Sequence, residues 1–208
     1  MHLYAFGSIC RGDVTPGSDI DILAITEGHD PRLDLTTYSI YSYARLRKIW
    51  EEGNPFGWHL YLESRLLFAD NATDFLRSLG PPRPYRAVFR DCEKFARLFS
   101  AARESVERGT NSIVFEFSTL FLAVRNFATC FSLGLTEYPN FSRRAALGLG
   151  PLSLSIDARA FEILERARIL STRGVGEGIN EEDVQRTISS FDAIQTWINV
   201  LSARTRSP

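Results

Sequence analysis

Apolar and polar positions follow two regimes along the chain. In the first eighty or so residues the apolar runs are short, and glycine and proline punctuate them. Leu3 to Phe6 and the Ile/Leu-rich stretch Ile20 to Ile25 each predict a strand, and Gly12, Pro16 and Gly17 between them predict a turn. A loop holding Gly28 and Pro31 follows. Leu33 to Ser42, rich in Thr, Tyr and Ile, then predicts a third strand. Tyr43 to Glu52 sets Leu46, Ile49 and Trp50 on one helical face and ends at Gly53 and Pro55. Trp58 to Phe68 reads as a further strand followed by a helical turn, and residues 78–84, SLGPPRP, read as a link between two units.

Beyond that break the period is helical. Tyr85 to Arg108 spaces Val88, Cys92, Phe95, Leu98 and Phe99 along one face. Ser112 to Leu133 is longer and more apolar, as a central bundle helix is. Asp157 caps a helix running to about Leu170. Asn180-Glu181-Glu182-Asp183 opens the last helix, whose stripe is Val184, Ile188, Phe191, Ile194, Trp197, Ile198 and Leu201. The expected architecture is an α/β domain over residues 1–80, a small mixed sheet with helices, followed by an all-α helical bundle over 85–208.

Composition narrows the function classes. With 208 residues, 44% of them hydrophobic and a net charge of −1, the chain is ordinary globular material with no global pull toward nucleic acid or an anionic membrane. Residues 1–84 carry a net −3 and residues 85–208 a net +2. Lys48 and Lys94 are the only lysines beside 22 arginines. Cys10, Cys92 and Cys130 have no zinc spacing, which predicts free thiols. No apolar run is expected to reach membrane-spanning length and the N-terminus has no signal-peptide pattern, so a cytoplasmic location is expected.

The chemistry concentrates in LYAFGSICRGDVTPGSDIDILAI. Asp19 and Asp21 alternate with Ile20 on a strand and so project from one face. Two adjacent carboxylates repel unless a cation lies between them, and a hard divalent ion such as Mg²⁺ or Mn²⁺ suits oxygen ligands. Gly7 permits close backbone approach, while Ser8 adds a hydroxyl and an N–H suited to a phosphate oxygen.

The segment GSICRGDVTPGSDID resembles the signature of the DNA polymerase β superfamily of nucleotidyltransferases, in which a Gly-Ser pair precedes Asp-x-Asp at about this spacing. Arg11-Gly12 and Ser18 also match its small bacterial members, the minimal nucleotidyltransferases. The resemblance implies that Gly7, Ser8, Arg11 and Ser18 bind the triphosphate of ATP or another NTP. Asp19 and Asp21 are the implied metal ligands. It also implies a third carboxylate on a neighbouring strand, both ligand and base. Asp34 is the first candidate and Glu63 the reserve. If strands two and three form a hairpin with Ile25 opposite Leu33, Asp34 faces Ala24, roughly 10 Å along from the position opposite Asp21. Relatives carry a helix before the Gly-Ser strand. Its omission here predicts a bare first strand or one covered by a partner.

Other features carry weaker chemistry. His59 and Glu63 lie four apart and share a face whether helical or extended, and Trp58 and Tyr61 suit base stacking or core packing. Arg125-Asn126 resembles the start of the Arg-x(4–6)-His motif of helical HEPN domains, but Cys130 stands where the histidine would fall. That implies a bundle without ribonuclease chemistry, or simply a packed Arg-Asn pair. The bundle is also similar to the second domain of antibiotic nucleotidyltransferases, where Phe141–Arg144 would line an acceptor cleft or cap a helix.

The expected activity is Mg²⁺-dependent transfer of a nucleoside monophosphate, AMP from ATP foremost, to a hydroxyl of a protein or small molecule. The alternative is a catalytically impaired antitoxin or assembly subunit that binds a partner protein. Expected partners are a nucleotide and a protein partner or second copy, with no membrane. Nucleic acid is disfavoured because no basic stripe is evident.

Overall fold

The computed structural model describes residues 1–13 and 20–206, and the chain divides into two compact units, Met1–Arg86 and Ala87–Pro208. The first is a small mixed sheet with helices. Strands β1 (His2–Phe6), β2 (Asp21–Thr26), β3 (Tyr38–Ser42) and β4 (Ser64–Ala69) run in the order β3-β2-β1-β4. β1 pairs antiparallel with both neighbours, and β2 pairs parallel with β3.

Three expectations are corrected here. β1 is interior, so the strand expected to be bare is covered on both sides, and β3 and β4 form the edges. The third strand begins at Tyr38 rather than Leu33, and pairs in the opposite sense to a hairpin, with Ile22 beside Tyr38. The segment read as strand then helix is helix then strand. Asn54 accepts from the Phe56 N–H at 2.9 Å and Pro55 occupies the first turn, so a helix starts there.

Helices α1 (Ser8–Arg11), α2 (Tyr43–Glu51), α3 (Pro55–Glu63) and α4 (Phe75–Ser78) complete the unit. Tyr4, Phe6, Leu23 and Ile25, alternating on one face of the sheet, bury against Leu46, Ile49, Trp50, Leu60, Phe75 and Leu76. His2 bonds the Tyr43 hydroxyl through Nδ1 (2.6 Å) and the Thr73 carbonyl through Nε2 (3.0 Å), which fastens the start of β1. The SLGPPRP stretch is more than a link. The Trp50 indole donates to the Gly80 carbonyl at 2.9 Å, and the Trp58 indole to that of Arg83 at 3.0 Å. Gly53, at φ 61°, lets this return strand pass, since a Cβ there would lie 2.5 Å from the Arg83 carbonyl oxygen.

The second unit is helical: α5 (Val88–Glu107), α6 (Ile113–Leu135), α7 (Ala158–Arg173), α8 (Glu181–Ile188) and α9 (Phe191–Thr205). α6 is its centre and packs against α5, α7 and α9. Phe99, Phe117, Leu120, Phe127, Phe131, Phe161 and Phe191 form the fully buried core. By length and composition α6 is apolar enough to cross a membrane, which corrects the expectation that no run reaches that length. Twelve of its residues, from Phe117 to Ser132, are buried within the protein. Asp157 caps α7 as expected, accepting from the Arg159 N–H at 3.1 Å. The stripe expected to be one terminal helix breaks at Ser189-Ser190 into α8 and α9.

Candidate functional site

The site is built where β1 turns into α1. The ladder sets Phe6 opposite Asp21 on one side and Ser64 on the other. Leu23 and Ile25, on the same face of β2 as Asp21, are fully buried, so Asp21 stands at the open end of the core-facing side. Gly7 follows Phe6 at φ 75° and ψ −139°, a conformation only glycine adopts readily. A Cβ on Gly7 would sit 2.8 Å from Asp21 Oδ2. The glycine thus brings the carboxylate against the main chain that carries Ser8, the first residue of α1.

Arg11 closes this turn from behind. Its Nε donates to Asp13 Oδ2 at 2.9 Å and its Nη1 to Glu63 Oε2. Glu63 ends α3, and its carbonyl accepts from the Gly7 N–H at 3.3 Å. His59, one helical turn earlier, has Nε2 3.0 Å from Glu63 Oε2, and its ring stands edge-on to Phe6 at 5.8 Å. The pairing of His59 with Glu63 along one helical face matches the four-residue spacing. The guanidinium is committed to two carboxylates, and Glu63 to Arg11 and His59. The sequence placed Arg11 at a phosphate and Glu63 in reserve as a metal ligand. The structure links the two to each other, and only three-dimensional proximity reveals that link. Burial pushes the neighbouring Cys10 thiol above its ordinary pKa, and its Sγ lies 3.4 Å from the Ala5 carbonyl.

Asp34 lies in the loop before β3. Its carboxylate accepts from the Thr36 N–H (2.9 Å) and Thr36 Oγ1 (2.5 Å), and these bonds hold its pKa below the ordinary carboxylate value. Its carbonyl accepts from Thr37 and Tyr38. Tyr38 pairs with Ile22, the residue after Asp21, so the parallel connection carries Asp34 to the end of the sheet where Asp21 stands. Ser18 and Asp19 lie outside the described residues. Among the described residues no group of three or more His, Cys, Asp and Glu side chains is placed to hold a metal ion.

The candidates outside this site have structural partners. Trp58 stands edge-on to Tyr61 at 5.9 Å and anchors the return segment. Arg125 donates through Nη2 to the Phe141 carbonyl at 2.9 Å, through Nε to that of Ser142 at 3.5 Å, and through Nη1 to Asn126 Oδ1 at 3.2 Å. The Arg-Asn pair therefore clamps the loop after α6. Cys130 is buried in the core of that unit.

No curated protein and no solved structure matches the chain. Residues 2–79 match the family model of the nucleotidyltransferase domain, which spans the four strands, Gly7 and Asp21 and supports nucleotidyl transfer as the general activity of this region.

Proposed function

We propose that the protein transfers a nucleoside monophosphate, AMP from ATP foremost, to a hydroxyl of a protein or small molecule. The observation that carries this reading is the Asp21 carboxylate held against Gly7, the residue before Ser8, within the matched domain. The Ser8 hydroxyl and the main chain of the turn receive phosphate oxygens, and Gly7 leaves room for their approach. Asp21 and Asp19 supply hard oxygen donors for Mg²⁺ or Mn²⁺, which when bound neutralises charge on the phosphates. The acceptor oxygen forms a bond to the α-phosphorus as the bond to pyrophosphate breaks. Asp34, brought to the Asp21 end of the sheet, takes the acceptor's proton. The Arg11–Glu63–His59 link holds the turn so that Ser8 and Asp21 keep their spacing, and positioning supplies much of the rate.

The test is pyrophosphate release from ATP with Mg²⁺, compared with the Asp21→Asn variant. Release that is equal in both sinks the assignment. A second reading, a non-catalytic subunit bound to a partner protein, draws on edge strand β4, where Leu66, Leu67 and Phe68 are all exposed. Co-purification of a stoichiometric partner with no ATP turnover selects that reading.

A further inference from the structure

Helix α9 carries a surface that matches itself. Its inward positions Ile194, Ile198 and Leu201 are buried in the helical unit, while Ala193, Thr196, Val200 and Arg204 stay exposed. Residues 150–155 form a wall beside that outer face. The Trp197 indole donates to the Leu152 carbonyl at 2.8 Å and so ties the wall to the helix. The Leu154 N–H, donating to the Ala146 carbonyl at 2.8 Å, holds its far end. Between wall and helix runs an open groove of about 600 Å³, with Pro151, Leu152 and Leu154 on one side and Trp197 and Val200 on the other. Val200 is 54% exposed, although it stands in this apolar setting.

Opposite charges mark the two ends of the groove. Asp192 and Arg204 both border it, separated along α9 by about 18 Å at roughly 1.5 Å per residue. Arg103 holds Asp192 Oδ1 at 2.7 Å, yet the Asp192 side chain is 90% exposed and keeps Oδ2 for another donor. Arg204 forms no ion pair among the described residues. Midway between the two charges the helix presents Thr196 and Val200, side chains short enough for a second helix to lie close. A second α9 laid antiparallel about a twofold axis sets Asp192 of each copy beside Arg204 of the other. The same register sets Thr196 against Val200. The helix therefore carries its own complement, acid to base at both ends and apolar contact between.

We propose that the groove beside α9 is the interface of a homodimer, in which α9 of a second copy packs antiparallel with an apolar centre and an ionic contact at each end. The test follows the mass of the full chain by sedimentation velocity from about 1 to 100 μM. Val200→Lys, which places a charge in the apolar centre, weakens the dimer about tenfold or more. Arg204→Asp sets two acids face to face at each end and weakens it to a similar degree. The double variant Asp192→Arg/Arg204→Asp restores the pairing with the signs exchanged, to within about threefold of wild type. All three side chains are exposed, and circular dichroism checks that the variants fold. The charge-exchanged pair decides the matter if Val200→Lys does not fold. A monomer throughout the range overturns the proposal, and so does a dimer of equal affinity in wild type, Val200→Lys and Arg204→Asp. Failure of the double variant to recover overturns the antiparallel pairing. A monomer that binds an apolar dye, lost in Val200→Lys, gives the groove to a small apolar ligand and overturns the dimer.

Discussion

Substituting Gly7 by alanine separates the two demands placed on this residue. The first is conformational: at φ 75° and ψ −139° a Cβ is strained whatever surrounds it, at a cost of about 1–3 kcal/mol. The second is steric, because the added Cβ falls 2.8 Å from Asp21 Oδ2. That oxygen is the far end of a side chain that can rotate, so relieving the contact adds little to the stability loss. It does move the carboxylate, and a displacement of about 1 Å at a reacting centre costs roughly 10²-fold in rate. Urea unfolding, followed by Trp50 and Trp58 fluorescence in a Trp197→Phe background, reads the first effect within the N-terminal unit. Pyrophosphate release reads the second. Combining Gly7→Ala with Asp21→Ala should leave the stability loss nearly unchanged, since backbone strain does not depend on the neighbour. A Gly7→Ala protein within about 0.5 kcal/mol of wild type refutes the conformational argument. Full turnover in that variant refutes the claim that the glycine sets the carboxylate's position.

Three further substitutions probe the surroundings. Asp34→Ala should lower pyrophosphate release by about 10²-fold or more if Asp34 takes the proton, and unchanged turnover removes it from the chemistry. Because the Thr36 bonds depress its pKa, its stabilising contribution is present above the ordinary carboxylate value and is lost as pH falls through the folded one. The variant should therefore show a flatter acid limb in a stability–pH titration. Glu63→Gln leaves the Arg11 guanidinium, among the described residues, with Asp13 as its ionic partner and should cost about 1–3 kcal/mol in urea unfolding, with no loss predicting that the link is incidental. Tyr4→Phe removes a buried hydroxyl that donates to Asp74 at 2.8 Å and accepts from the Leu76 N–H at 3.0 Å, again about 1–3 kcal/mol. Burial, with Asp74 adding to it, raises the Tyr4 pKa. Its contribution is therefore full below the ordinary tyrosine value of about 10 and is lost as pH rises through the folded value. In Tyr4→Phe that part of the alkaline loss should vanish. The part due to buried Cys92, whose pKa is also raised, should persist.

What was legible in the sequence followed local signals. Gly-Ser after an apolar run marked the end of β1, and Asp157 and Asn180 marked helix starts through side chains that cap them. The long helical periods of the second unit were equally plain, because each presents a wide apolar face. The α3–β4 order was misread although Asn54-Pro55 carried the start signal. WHLYLE is apolar enough to fit either period, and only the cap decides it. The Arg11–Glu63 pair could not be read at all, since fifty-two residues separate partners that no spacing rule connects.

Asp34 shows how strand direction, more than strand identity, governs a site. An antiparallel hairpin of β2 and β3 would have carried the start of the third strand away from Asp21. The loop of residues 27–37 is long enough to return the chain to the beginning of β2 before it pairs, and the strands lie parallel. Ile22 then stands beside Tyr38, and the Asp34 carbonyl closes the turn that leads into β3 by accepting from Thr37 and Tyr38. The residue thus misses the strand that the apolar pattern assigned it, and lies in the loop before β3, which begins opposite Ile22. Its present partner, Thr36, is a neighbour in the same exposed turn, so rotation of one side chain would free the carboxylate for an acceptor hydroxyl without unfolding any element. If that is its role, Thr36→Val, which removes the hydroxyl bond and keeps the backbone one, should loosen Asp34 and leave turnover equal or higher, while Asp34→Asn lowers it sharply. A Thr36→Val variant as inactive as Asp34→Asn would instead show that the turn itself is what the site needs.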